Sequence, residues 1–272
     1  MGERNGYQHG VPCWVETLQP EPEGATKFYG ELFGWEFTAP ATMPGDPPGH
    51  YFVARLRGSD VAGIGSQPPE YAPPVPAWIT HVSVDSADEA AEKTSGAGGD
   101  VVVDPFDAAP AGRLAVLSDP AGALFCAWEP QIRKGAQIIN EPSAWAMSTL
   151  NTPDPEGAKR FYGAVFGWET DTFRMGEDEV TLWRVPGYVG GNPGQPVSRE
   201  VVGVMAPAAG DDASPHWSVN FWVDDADAAA DRTARLGGEV AVPPYDLPGF
   251  RETVLADPQG AVFSVSELRS AG

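Results

Sequence analysis

Glu16, His81 and Cys126 are the side chains of this 272-residue chain best suited to chemistry. Each falls in a short segment of strand character: Trp14-Val15-Glu16, Trp78-Ile79-Thr80-His81 and Phe125-Cys126-Ala127-Trp128. A carboxylate beside an imidazole orients the ring, and an imidazole titrates near neutrality, so Glu16 and His81 would form a proton-transfer pair. Cys126 could join them as a nucleophile assisted by His81, or as a thiolate in a three-ligand set. The plainer alternative makes His81 a hydrogen-bonded polar group in a cavity wall and Cys126 a small buried hydrophobe. No phosphate cradle or nucleophile elbow accompanies them; Gly96-Ala97-Gly98-Gly99 follows a helical stretch and reads as its stop.

The elements that must position these groups are set out twice. Phe28-Tyr29-Gly30-Glu31-Leu32-Phe33-Gly34-Trp35 returns as Phe161-Tyr162-Gly163-Ala164-Val165-Phe166-Gly167-Trp168, 133 positions later (161 − 28). Each copy follows a proline-and-acid turn. Asp154 is expected to cap the second helix with Pro155 in its first position, and Gly34 to end the first in a left-handed conformation with Trp35 folded back. Phe28, Leu32 and Phe33 form its buried stripe, and Gly30 marks close packing. Val84-Asp85-Ser86-Ala87-Asp88 and Asp119-Pro120-Ala121-Gly122-Ala123 also recur, at Val223 and Asp257, with offsets of 139 (223 − 84) and 138 (257 − 119). The second copy therefore carries extra residues, expected in the Gly/Pro-rich loop from Pro186 to Arg199. Within each copy the order strand, helix, strands occurs twice, with a Pro-rich connector, Gln67 to Ala77, at the midpoint of the first. This predicts an α+β chain of four βαβββ units in two tandem modules: 10–129, a linker over 130–143, and 144–268.

Composition excludes several function classes. A formal charge of −21 repels phosphate backbones and anionic lipid, so neither nucleic acid nor membrane is an expected partner. No apolar run reaches membrane-spanning length and the N-terminal residues carry no apolar signal segment, so a cytoplasmic protein is expected. Cys13 and Cys126 are too few for a disulfide framework and read as free thiols.

The paired βαβββ pattern, the Phe-Tyr-Gly…Phe-Gly-Trp helix after a proline-acid turn, and the closing Asp-Pro-x-Gly-Ala strand resemble the vicinal oxygen chelate superfamily. That superfamily includes glyoxalase I, the bleomycin-resistance proteins and extradiol dioxygenases. Pro12-Cys13-Trp14-Val15-Glu16 at the start is similar to a tandem glyoxalase-like subgroup often labelled "hydroxylase". The resemblance implies that paired units enclose a cup of mixed sheet with flanking helices. It also implies metal ligands on the first strand of each unit and the last strand of the second. Those positions fall on Trp14, Ile79 and Cys126 in module one and on Met147, Ser218 and Ser264 in module two. None is His or Glu, so no metal and no cofactor are expected.

Strand alternation from these positions puts Trp14 with Glu16, Ile79 with His81, and Cys126 with Trp128 in the first cup. Met147, Thr149, Ser218, Asn220, Trp222 and Ser264 take the second, which is expected to lack titratable groups, with Trp145 and Trp183 at its flanks. Aromatic and apolar walls with a few polar groups favour a flat, conjugated ligand. The leading expectation is metal-independent binding of an apolar or aromatic small molecule, of the sequestration or resistance type, by a monomer or homodimer. One alternative is a metal-independent enzyme of small-molecule or natural-product metabolism using His81 and Glu16. A second is a metal-dependent lyase or dioxygenase.

Overall fold

The structure is a computed structural model, described here for all residues except 1–3, 44–45, 69–75, 176–177, 191–197, 208–213 and 270–272. Module one runs β1 (Pro12–Gln19), α1 (Pro22–Phe33), the short β2 (Glu36–Phe37) and β3 (Ala41–Met43), β4 (Gly49–Leu56) and β5 (Ser59–Ser66). Its second unit is β6 (Trp78–Ser83), α2 (Ala87–Gly96), β7 (Asp100–Ala108), β8 (Gly112–Ser118) and β9 (Leu124–Pro130). Module two repeats this as β10 (Trp145–Thr152), α3 (Pro155–Phe166), β11 (Glu169–Met175), β12 (Asp178–Arg184) and β13 (Val201–Pro207). It closes with β14 (His216–Val223), α4 (Ala226–Arg235), β15 (Glu239–Leu247), β16 (Phe250–Ala256) and β17 (Val262–Leu268). The extra length of module two lies between β12 and β13, in a loop of which 191–197 are outside the described residues. Of the Pro-rich connector, 69–75 are likewise outside them.

Each module forms one mixed sheet, ordered β2-β4-β5-β1-β6-β9-β8-β7 and β11-β12-β13-β10-β14-β17-β16-β15. The central pair, β1–β6 or β10–β14, is antiparallel, with a parallel partner outside each. The helix ends follow the local chemistry. Asp154 accepts a hydrogen bond from the Gly157 amide at 2.8 Å, and Gly34 and Gly167 close α1 and α3 at φ 73° and 71°. A Cβ on Gly30 would lie 3.2 Å from the Trp35 carbonyl oxygen, which is the close packing its sequence position implied.

The cores are shared between modules. Phe28, Tyr29, Phe33 and Trp35 pack with Phe221, Phe263 and Val265 of module two. Phe161, Tyr162, Val165 and Phe166 pack with Leu117, Phe125 and Ala127 of module one. Polar contacts repeat the exchange. Tyr29 donates to Asp257 at 2.9 Å and Tyr162 to Asp119 at 3.2 Å, while Trp35 and Trp168 donate their indole N–H to the Ser143 and Gly10 carbonyls. Asp119 and Asp257 also hold the tight turns of their own Asp-Pro-x-Gly motifs. The two repeated motifs of the sequence therefore clasp one another across the module boundary.

Candidate functional site: two cups in one register

The concave faces of the two sheets correspond strand for strand. In module one Trp14, His81 and Cys126 stand side by side on β1, β6 and β9. In module two the same row is Met147, Asn220 and Ser264 on β10, β14 and β17. Alternate residues point through the sheet to the helices, which is why Val15, Val82 and Phe125, like Val219, Phe221 and Phe263, belong to the apolar cores.

In module one the structure brings together Trp14, Glu16, His81, Cys126 and Trp128 and buries all five, with exposures of 4, 7, 2, 1 and 7%. His81 Nε2 lies 3.2 Å from Glu16 Oε1, an ion-pair contact rather than an aligned hydrogen bond. The other Glu16 oxygen accepts from the Tyr51 hydroxyl at 2.7 Å, and Tyr51 in turn accepts from the Trp14 indole at 3.1 Å. Gly63 makes this possible, because a Cβ there would sit 2.0 Å from the Tyr51 oxygen. Burial pushes the His81 ring toward neutrality, but Cys126 and Glu16 outweigh it and raise its pKa to about 10. Burial likewise favours the neutral Glu16, and is outweighed by His81, Tyr51 and Arg133, which hold its carboxyl below the usual range. Both shifts favour the imidazolium–carboxylate form of the pair. An imidazolium has no lone pair with which to take a proton.

A strap closes the upper half of this cup. Residues 131–137, expected only to link the modules, fold back over it: Ala136 N–H bonds the Cys13 carbonyl at 2.8 Å and Gln137 N–H the Asp60 carbonyl at 2.7 Å. The Trp128 indole donates to the Arg133 carbonyl at 3.0 Å, the Arg133 guanidinium reaches Asp60 at 3.0 Å and lies 5.7 Å from the Trp14 ring centre, and Tyr7 donates to Ala136. Leu18, Ile79, Val116 and Leu124, in the lower half, remain partly exposed.

Module two's cup is different. Met147, Thr149, Ser218, Asn220, Trp222 and Ser264 are all partly exposed, and Val204 and Val254 extend the lining. Asn220 donates to the Ser264 and Ser266 hydroxyls at 2.7 and 2.8 Å. The expectation that no titratable group lies here is corrected. Glu252 on β16 stands opposite Ser266 and accepts from it at 3.0 Å, and Tyr245 on β15 donates to Glu252 at 2.6 Å. Extending the strand alternation to β16 would have found Glu252; Tyr245 lies beyond a register shift between Val242 and Tyr245 that defeats simple counting. Trp145 and Trp183 do not flank the cup. Their side chains are 4 and 0% exposed in the helix-side cores, where an indole fills the space between sheet and helix. His216 is exposed at the rim beside Asn151.

Two such sheets, each built from paired βαβββ units, define the vicinal oxygen chelate class of fold. The chain belongs to the glyoxalase-like domain family, whose model matches residues 15–128 and 147–266. It is 36% identical over 269 residues to "Putative glyoxylase CFP32" of Mycobacterium bovis, covering 97% of each chain. It is 33% identical over 279 residues to "Anthracycline biosynthesis protein DauV" of a Streptomyces species, covering 97% of this chain and 96% of that one. Among solved structures it resembles the Mn(II)-bound glyoxalase of Novosphingobium aromaticivorans. The TM-score is 0.62 at 17% identity, over 98% of this chain and 83% of that one, a likeness of fold.

A divalent ion, as in that glyoxalase, does not fit the donors in either cup. Met147, Asn220 and Ser264 offer no imidazole, carboxylate or thiolate in the central row of module two, Glu252 has no two further His, Cys, Asp or Glu ligands grouped with it among the described residues, and Glu16 and His81 are already paired with each other in module one. Among the described residues, the one set of three His, Cys, Asp or Glu ligand atoms lying within 4.8 Å of one another is Asp225, Asp227 and Glu267. Those three cap α4, pair with Arg251, and bond the Ala226 amide and Arg269. Among the described residues no helix is long and apolar enough to cross a membrane.

Proposed function

We propose that the chain binds an apolar or aromatic small molecule in the cup of module two, without a resident metal. One observation carries this reading: the two cups share a register, yet the buried indoles of Trp14 and Trp128 in the first are replaced by a partly exposed Met147 and the small Ser266 in the second. Met147, Val204, Val254 and Trp222 supply apolar wall, and Asn220 with Ser264 supplies a few fixed polar groups, the usual make-up of a small-molecule site. The name of the Streptomyces relative, an anthracycline biosynthesis protein, favours a flat, conjugated ligand and a place in natural-product metabolism. Two buried, unpaired thiols suit a reducing compartment such as the cytoplasm. On this reading module one is the supporting partner, and its Glu16–His81 pair stabilises rather than catalyses. The test is a screen of planar aromatic compounds by quenching of tryptophan emission, followed by recovery of each bound compound. Saturable binding of an unaltered compound supports the reading. A compound recovered chemically changed would make the protein an enzyme.

A further inference from the structure

Glu252 has no counterpart in module one. The pair Glu252 and Ser266 corresponds to Leu114 and Trp128, and Tyr245 to Phe106, so the acid and its phenol belong to the second cup alone. Glu252 is half-buried, and its two oxygens accept from the neutral hydroxyls of Tyr245 and Ser266. Among the described residues no Lys, Arg or His lies within ion-pair distance of it; its neighbour Arg251 pairs with Asp227 and Asp246 instead.

The hydrogen-bond inventory of the cup then has a definite sign. Ser266 gives its proton to Glu252, so it must accept from Asn220, which fixes the orientation of that amide. Both Asn220 N–H groups are thereby spent on Ser264 and Ser266, leaving its carbonyl oxygen as an acceptor. Each Glu252 oxygen keeps a lone pair as well. The Tyr245 and Ser266 protons are used, and the Ser264 hydroxyl is left as the one donor of this group. The array is rich in acceptors and carries a carboxylate with no fixed cation among the described residues. An anionic ligand would meet that charge in a partly desolvated cup, where repulsion is strong, whereas a ligand O–H would complete the carboxylate's shell by a charge-assisted bond.

Resting on the reading of module two as the binding site, we propose that Glu252 and Asn220 select an aromatic ligand bearing a hydroxyl donor and reject carboxylated or phosphorylated molecules of the same size. The experiment is calorimetric titration at pH 7 with three probes on one nucleus: naphthalene, 2-naphthol and 2-naphthoate. 2-Naphthol should bind about tenfold more tightly than either of the others, the scale of one charge-assisted hydrogen bond or one uncompensated charge. In Glu252→Gln the rejection of 2-naphthoate should shrink to within about threefold of 2-naphthol. The wild-type ranking tests the proposal even if that variant folds poorly. Equal affinities for naphthalene and 2-naphthol, or unchanged rejection of 2-naphthoate in a folded Glu252→Gln, would overturn the selectivity while leaving the cup intact as a site. Failure of all three probes to bind the wild-type protein would overturn both.

Discussion

Tyr29 on the first helix of one module donates its hydroxyl hydrogen bond to Asp257 in the last turn of the other, and Tyr162 returns the contact to Asp119. Each tyrosine also accepts from an indole of its own module, Trp78 or Trp217. These links tie four repeated motifs into two shared cores, so neither module buries its own helix alone.

Unfolding should therefore be a single transition. Tyr29→Phe leaves a buried carboxylate and an indole N–H short of a partner, and should cost about 1–3 kcal/mol. Urea denaturation followed by far-ultraviolet circular dichroism should show one shifted midpoint. Two resolved transitions, with only one moved by the substitution, would contradict the shared cores.

The buried Glu16–His81 pair makes stability depend on pH in a defined direction. The folded pKa of His81 is raised from 6.5 to about 10, so the folded chain holds a proton that the unfolded chain has lost. The resulting stabilisation is full below pH 6.5 and fades as pH rises toward 10, by at most about 1.4 kcal/mol per pH unit. Glu16 acts at the other end. Its folded pKa is lowered, so its contribution is present above the ordinary carboxyl value of 4.5 and is lost as pH falls through the folded one. Urea titrations between pH 6.5 and 10 should show the decline, and His81→Gln should flatten it. An unchanged slope in that variant would remove the ion pair from the account.

Tryptophans of pocket and scaffold should separate. Trp222→Ala should weaken ligand binding by about 1–3 kcal/mol, a roughly 5- to 150-fold rise in Kd. Trp14→Ala should instead lower stability by about 3–5 kcal/mol, as removal of a large buried side chain does. Its folded fraction should keep the same affinity, since the strap already covers that ring.

Metal removal should change nothing. Dialysis against a chelator should leave the affinity of any validated ligand within about twofold, an energetic difference of less than about 0.5 kcal/mol. Loss of binding that one divalent ion restores would contradict the donor inventory of both cups.

Much of this architecture was legible in the sequence because it is written locally. The proline-acid turn, the left-handed glycine and the apolar stripe each fix α1 and α3 within a dozen residues, and the repeat shows that the pattern is used twice. Alternation also placed Trp14 beside Glu16 and Met147 beside Thr149. What it could not show was long-range. The Tyr29–Asp257 contact joins residues 228 apart, with no local signature of which module's turn the helix meets. Residues 131–137 are irregular, and their closure over Trp14 joins them by backbone bonds to the distant Cys13 and Asp60, with Gly135, at φ 113° and without room for a Cβ, as the local requirement. Tyr245 escaped because a bulge breaks the two-residue period that otherwise sets which side chains face the cup.

Of the two replacements that distinguish the cups, Trp14 by Met147 and Trp128 by Ser266, the first lies at matching positions of the central strands β1 and β10. Met147→Trp should rebuild in module two the obstruction that module one already carries. Calorimetric titration with 2-naphthol, on protein shown by thermal melting to be folded, measures this directly. The account predicts one saturable site per chain in the wild-type protein and at least about a tenfold loss of affinity in Met147→Trp. Undiminished binding by the folded variant would contradict it and place the ligand elsewhere.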